Sequence, residues 1–190
     1  MRKLIVTENI SLDGGIETIS GGEGHPSGGD DLAAVNREHM AAADAVLLGR
    51  VTYEEFAGYW PAQTNDTTGV SDYLNRTIKY VVSSSLSQPS WQNTKILRGS
   101  LTDEVMALKQ SPGKDIVATG SITLVHALIR EKLVDAYRLF VYPVVSGQGR
   151  RLFPDGITSR LQLVETRTFH SGIVLLSYQV MQTARAGEKN

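Results

Sequence analysis

The sequence predicts a three-layer α/β/α domain, with helices on both faces of a mixed, mostly parallel sheet and an antiparallel hairpin at its C-terminal end. Three observations point to it. Short apolar runs alternate with helical patterns through the first two-thirds of the chain, as in consecutive βα units. Three longer β-rich runs then follow, the last two joined by His170-Ser171-Gly172, a hairpin signal. Three strands of the alternating part stop at Gly49, Ser83 and Gly120, and in open α/β sheets ligands lie beyond the C-terminal ends of the strands. A chain of 190 residues suits one hydrophobic core, so a single domain over 1–183 and a polar tail over 184–190 are expected.

Leu4-Ile5-Val6 opens an alternating run to Ser11 that reads as a buried first strand, and Leu12-Asp13-Gly14-Gly15 turns the chain. Residues 14–29 hold seven glycines and one proline with almost no apolar side chains. Such a long loop is either a lid over a site or an insertion without a role. Asp30 and Asp31 open a helix over 30–43, acids suited to its positive N-terminus, with Leu32, Val35, His39, Met40 and Ala43 near helical spacing. Ala45-Val46-Leu47-Leu48, stopped by Gly49, reads as a buried parallel strand, and 52–58 as a helical turn or two whose Thr52 can cap it. A polar loop at 58–69, a helix at 70–77 and a strand at 78–82 lead into Ser83-Ser84-Ser85. A short strand at 95–97, a helix at 101–110 and a strand at 115–118 before Thr119-Gly120 continue the alternation. The clearest amphipathic helix covers 121–132, with Leu124, Leu128 and Ile129 on one stripe. Strands at 136–145, 161–169 and 173–181 complete the sheet, and 139–145 offers an apolar edge or face to a second copy.

Composition excludes several classes. Nineteen Lys and Arg against twenty Asp and Glu leave a formal charge of −1, too balanced for gripping nucleic-acid phosphates. No run approaches the roughly 20 apolar residues of a membrane helix, and the apolar stretch after Met1 is too short for a signal peptide. Zero cysteines exclude disulfides, thiolate metal sites and cysteine nucleophiles, and suit the cytoplasm. His25, His39, His126 and His170 are spread without ligand spacing, so no metal is expected. Gly113-Lys114 continues into Asp115, so a phosphate-binding P-loop is missing, and Gly147-Gln148-Gly149 lacks the third glycine of a dinucleotide fingerprint.

Three segments carry chemistry. In Gly49-Arg50-Val51-Thr52-Tyr53-Glu54 a strand gives way to a helix N-terminus, whose free N–H groups and dipole favour a phosphate, beside the planar fork of Arg50. Ser83-Ser84-Ser85 brings hydroxyls to the next strand end. Thr119-Gly120-Ser121-Ile122-Thr123-Leu124 repeats the strand, glycine and helix order and can cradle a pyrophosphate. Taken singly, each is equally an ordinary βα turn. Together at one sheet edge, they supply the separated anion contacts that a dinucleotide with an extra 2′-phosphate needs.

These segments, with Ser11-Leu12-Asp13-Gly14 before them and Tyr142-Pro143-Val144-Val145-Ser146-Gly147-Gln148-Gly149 after them, resemble in order the dihydrofolate reductase superfamily. The closer likeness is to the reductase domain of bifunctional riboflavin-biosynthesis deaminase/reductases. It spans roughly 2–182. The resemblance implies NADPH as cofactor and hydride transfer to a pterin- or pyrimidine-like small molecule, a 5-amino-6-ribosylaminouracil reductase-like activity, in a homodimer. It implies that Arg50 with Ser83 or Ser84 holds the 2′-phosphate, and that Gly49, Thr52 and the Gly120, Ser121, Ile122 and Thr123 turn hold the pyrophosphate. Asn9, Ile10 and Ser11 would border the nicotinamide. Two alternatives stand beside this reading: a dihydrofolate reductase proper, which needs Asp31 as the pocket acid, and a catalytically silent NADP-binding or interaction protein. Asp31 is equally a helix N-terminal acid answering the dipole.

Overall fold

Eight strands form one sheet in the order β4-β3-β2-β5-β1-β6-β8-β7. They are β1 (Leu4–Ser11), β2 (Ala43–Gly49), β3 (Ile78–Val82), β4 (Thr94–Leu97), β5 (Asp115–Ala118), β6 (Ala136–Tyr142), β7 (Leu161–Thr168) and β8 (Val174–Val180). The first six run parallel, and β8 and β7 add antiparallel pairs. The computed structural model describes residues 1–16 and 29–181. The expected loop at 14–29 therefore lies largely outside the described residues, as does the tail at 184–190.

The parallel strands are apolar because helices cover both faces. On one side Leu4, Val6, Ile116 and Ala118 pack against Leu124, Val125 and Leu128 of α5 (Ile122–Arg130), beside α4 (Leu101–Gln110). On the other, Val46, Leu48 and Val81 pack with Tyr53 of α2 (Arg50–Tyr59), Tyr73 and Leu74 of α3 (Val70–Arg76), and Trp91. Val35 of α1 (Asp30–Ala41) joins Phe140, Phe169, Ile173 and Leu175. This is the three-layer arrangement that the alternation predicts.

Buried cations are held at helix ends. Lys79 is fully buried, yet its ammonium donates to the carbonyls of Leu74 and Thr77 at 2.6 and 2.9 Å and lies 4.2 Å from the centre of the Trp91 ring. It thus satisfies carbonyls that α3 leaves open at its C-terminus. Lys109 near the end of α4 pairs with Asp135 at 2.7 Å, and Asp135 also accepts the Leu4 N–H at 2.8 Å, tying α4 to both β1 and β6.

Several boundaries differ from expectation for local reasons. The helix after β2 starts at Arg50 rather than Thr52, with Gly49 as its N-cap. β6 ends at Tyr142 because Pro143 has no N–H to continue the ladder. The expected loop at 58–69 contains a 3₁₀ turn, Trp60–Ala62, with Pro61 in its first turn. Of the edge or face that 139–145 is expected to offer a second copy, the edge is ruled out by the topology: β6 lies between β1 and β8, and the edges are β4 and β7.

Order in the sheet places the site. The chain leaves β1 for β2 two positions away, and β5 later fills the gap between them. The C-terminal ends of β2, β5 and β1 are thereby adjacent, where the strand order reverses and a ligand crevice opens.

Candidate active site

The turn after β2 and the turn after β5 are bolted together by two reciprocal hydrogen bonds. The Ser121 hydroxyl accepts the Gly49 N–H at 2.8 Å, and the Thr52 hydroxyl accepts the Ser121 N–H at 2.9 Å. Thr52, expected as a cap of its own helix, therefore caps the neighbouring turn. Gly120 and Ser121 both adopt left-handed backbone, with φ of +59° and +51°. Contacts are close: a Cβ on Gly49 would lie 3.1 Å from the Ser121 hydroxyl, and one on Gly120 would lie 2.8 Å from the Thr52 methyl. Ser121 is a non-glycine residue held in a sparsely populated conformation, which is a common mark of a functional turn.

Neither α2 nor α5 has a side-chain cap on its own N-terminus. Their first N–H groups open onto a cleft of about 1300 Å³, lined by Gly49, Arg50, Thr52 and the Gly120, Ser121, Ile122 and Thr123 turn. Two helix dipoles converge there with two cations. Arg50 lies at the first position of α2, paired with Glu54 at 2.8 Å, and Arg150 reaches the Thr123 hydroxyl at 3.5 Å. Such a wall binds anions.

The other expected residues divide. Asn9 lines the cleft, whereas Ile10 points into the core under α5 and Ser11 is buried in the turn, donating to Asp13 at 2.6 Å. Ser83 spends its hydroxyl accepting the N–H groups of Ser85 and Leu86 at 3.2 and 3.0 Å. Val82, not Ser83 or Ser84, is the cleft-lining residue of that strand end. Asp31 lies at the start of α1, where its carboxylate accepts the backbone N–H of His170 at 2.9 Å and meets the His170 ring at 2.9 Å. Those bonds hold its carboxyl below the usual range. They also tie α1 to the β7–β8 hairpin, away from the cleft lining.

Two features of the site were not read from the sequence. Glu8 on β1 lines the cleft, is buried, and leaves one carboxyl oxygen without a partner. Burial raises its pKa well above the ordinary value, although the Gly120 N–H directed at it acts the other way. Its only sequence signal was a charged residue inside an apolar strand.

Asp13 is the second feature. Its carboxylate accepts the Ser11 hydroxyl at 2.6 Å and the N–H groups of Ser146 and Gly147 at 3.1 and 2.9 Å. These bonds clamp the end of β1 to the glycine-rich segment that carries Arg150, and they lower the Asp13 pKa from 3.8 to about 2. A depressed carboxylate contributes above its unfolded value and loses that contribution as pH falls through its folded one. Amide protection at Ser146 and Gly147 is therefore expected to persist at pH 4 and to vanish towards pH 2. In Asp13→Ala it should be lower by about tenfold at pH 4, with the difference closing as the pH falls towards 2. Hydrogen exchange read at those two amides checks both results.

Known proteins share this fold. A model of the RibD C-terminal domain family matches residues 2–175. The uncharacterized protein YyaP of Bacillus subtilis is 32% identical over 182 residues, which cover 93% of this chain and 94% of that protein. Among solved structures, a pyrimidine reductase-like protein from Corynebacterium diphtheriae superposes with a TM-score of 0.69 at 18% identity, covering 96% of this chain and 93% of the other. RibD from Acinetobacter baumannii superposes with a TM-score of 0.66 at 17% identity, covering 95% of this chain but 58% of that longer one. Among the described residues, no helix is long and apolar enough to cross a membrane.

Proposed function

The chain belongs to the RibD C-terminal domain family, and on that premise we propose that it is an NADPH-dependent oxidoreductase acting on a pterin- or pyrimidine-like small molecule. The observation that carries this reading is the pair of bolted turns, which presents two uncapped helix N-termini and Arg50 to one cleft. The residues fit the cofactor: Gly49 and Gly120 lack side chains where a Cβ would crowd the turn, and the N–H groups of α2 and α5 supply donors for a pyrophosphate. Arg50, one residue beyond Gly49, is the fork for a 2′-phosphate.

NADPH, when bound, supplies the hydride. The chain's part is to hold donor and acceptor in register, an effect worth several kcal/mol for a near-attack geometry. Asn9 at the end of β1 stands at the junction between the phosphate-binding turns and the space under α1. Phe56, Trp60, Met40 and Phe140 wall that space with apolar surface that excludes water. Burial disfavours the ionised form of Glu8, which lessens its repulsion of a phosphate at the Gly120 turn.

Calorimetric titration with NADPH and NADH tests the reading. NADPH is expected to bind at least about tenfold more tightly than NADH, since charge-assisted phosphate contacts are roughly twice as strong as neutral ones. Equal affinity would remove the 2′-phosphate assignment. Binding of neither would overturn the proposal.

A further inference from the structure

The end of the cleft beneath α1 has a polar floor that the described residues do not satisfy. Among the described residues, Thr7 Oγ1, His39 Nδ1 and Arg138 Nη1 are buried without a hydrogen-bond partner, and all three residues line the cleft, as does Tyr73. Thr7 on β1 and Arg138 on β6 are direct neighbours in register, and the next residue across the sheet, Ser177 on β8, leaves its hydroxyl unpartnered too. Buried polar groups are normally paired, and each one left unpaired opposes folding. Such a concentration in one place marks a surface shaped for something else.

The chemistry of the floor defines what that is. Arg138 only donates, Thr7 and Tyr73 can donate, and His39 stays neutral near pH 7 because burial and the nearby Arg138 charge lower its pKa to about 4. Arg138 is thus the one cation of the floor. It enters none of the ion pairs among the described residues. The acids it senses are Asp115 and Glu165, and Glu165 is engaged by Arg167 at 2.5 Å. Glu8 belongs to the opposite face of β1, with Leu4 and Val6. Phe140, two residues beyond Arg138 on β6, and Met40 of α1 add apolar surface to the lining.

We infer that this chamber is the acceptor pocket of the reductase proposed above, on which the inference rests, and that it takes a flat ring bearing a carboxylate or an equivalent anionic oxygen, met by Arg138 with Thr7 beside it. Of the acceptors proposed above, this favours a pyrimidine-like ring over a pterin, whose amino-amidine edge calls for a carboxylate in the floor. A neutral acceptor would leave the guanidinium uncompensated, whereas an anion offsets it in surroundings where charge interactions are strong.

Orotate, a flat pyrimidine carboxylate, and its neutral carboxamide differ only in that charge and serve as probes. Each is titrated calorimetrically into wild type, Arg138→Gln, Arg138→Lys and Thr7→Val, with and without NADPH. Wild type is expected to prefer orotate by at least about tenfold, as for a charge-assisted contact. Arg138→Gln should abolish the preference and Arg138→Lys should retain part of it. Thr7→Val, which keeps the shape and loses the hydroxyl, should weaken orotate by roughly threefold. If Arg138→Gln does not fold, the Lys and Val variants still decide. Equal affinity for the two probes, no orotate binding, or an unchanged preference in Arg138→Gln overturns the anionic pocket and leaves the cofactor reading standing. Orotate preference without any NADPH binding overturns the reductase reading and with it the role as an acceptor pocket.

Discussion

Arg50→Ala is expected to weaken NADPH binding by roughly 100-fold, since hydrogen bonds to charged groups contribute about 1.5–3 kcal/mol and two are lost with a guanidinium fork. NADH affinity should hardly change, so the two cofactors should converge. In the free protein Arg50 is occupied by Glu54, with contacts of 2.8 and 3.1 Å between half-exposed side chains. An exposed pair of this spacing is worth only about 0.3–0.5 kcal/mol. A phosphate dianion at the α2 N-terminus competes successfully for the same guanidinium, because it carries more charge than Glu54 and the positive end of the helix dipole favours an anion there. The Arg50→Ala protein should melt close to wild type, because the pair it loses is a surface pair. Calorimetry with both cofactors checks the result, and undiminished NADPH affinity would displace Arg50 from the 2′-phosphate role.

Much of the fold was legible because β2, β3 and β5 are short apolar runs stopped by Gly49, Ser83 and Thr119. Strand order was not. Nothing within Asp115–Ala118 says that it inserts between β1 and β2, since that choice is made by pairings more than 65 residues apart in sequence. The site was legible to the same depth. Gly49, Arg50 and the turn from Gly120 were found as local strand-to-helix junctions, and the structure brings them to one cleft. Thr52 was read as a local cap, while its actual partner, the Ser121 N–H, lies 69 residues away. Glu8 and Arg138 passed as polar residues in strands. Their burial is imposed by α5, by α1 and by neighbouring strands, none of which is visible in a window of a few residues. Asp31 shows the converse: an acid in the right type of position at a helix start whose side chain is taken by His170 of a distant hairpin.

Gly120→Ala is expected to be the most damaging single methyl addition at the site. Two costs combine. A φ of +59° is unfavourable for alanine by about 1–2 kcal/mol, and the new Cβ would stand 2.8 Å from the Thr52 methyl. Thr52 is buried and β-branched in the first turn of α2, so it has little freedom to rotate away. If it moves, it releases the Ser121 N–H, and that bond contributes about 1 kcal/mol. Together these amount to about 2–4 kcal/mol, a fall in melting temperature of roughly 5–12 °C for a domain of this size. NADPH affinity should drop by more than about 100-fold, because the N–H groups of α5 lose their registration with those of α2 and misplacement of this order is costly. Thr52→Ser separates the two causes. Serine keeps the hydroxyl that receives Ser121 and lacks the obstructing methyl, so Gly120→Ala with Thr52→Ser should recover the steric part of the stability loss and a measurable part of NADPH binding, but not the part due to backbone strain. If Gly120→Ala lowers stability and yet binds NADPH as wild type does, the bolted turns are structural only, and the cofactor must lie elsewhere in the cleft.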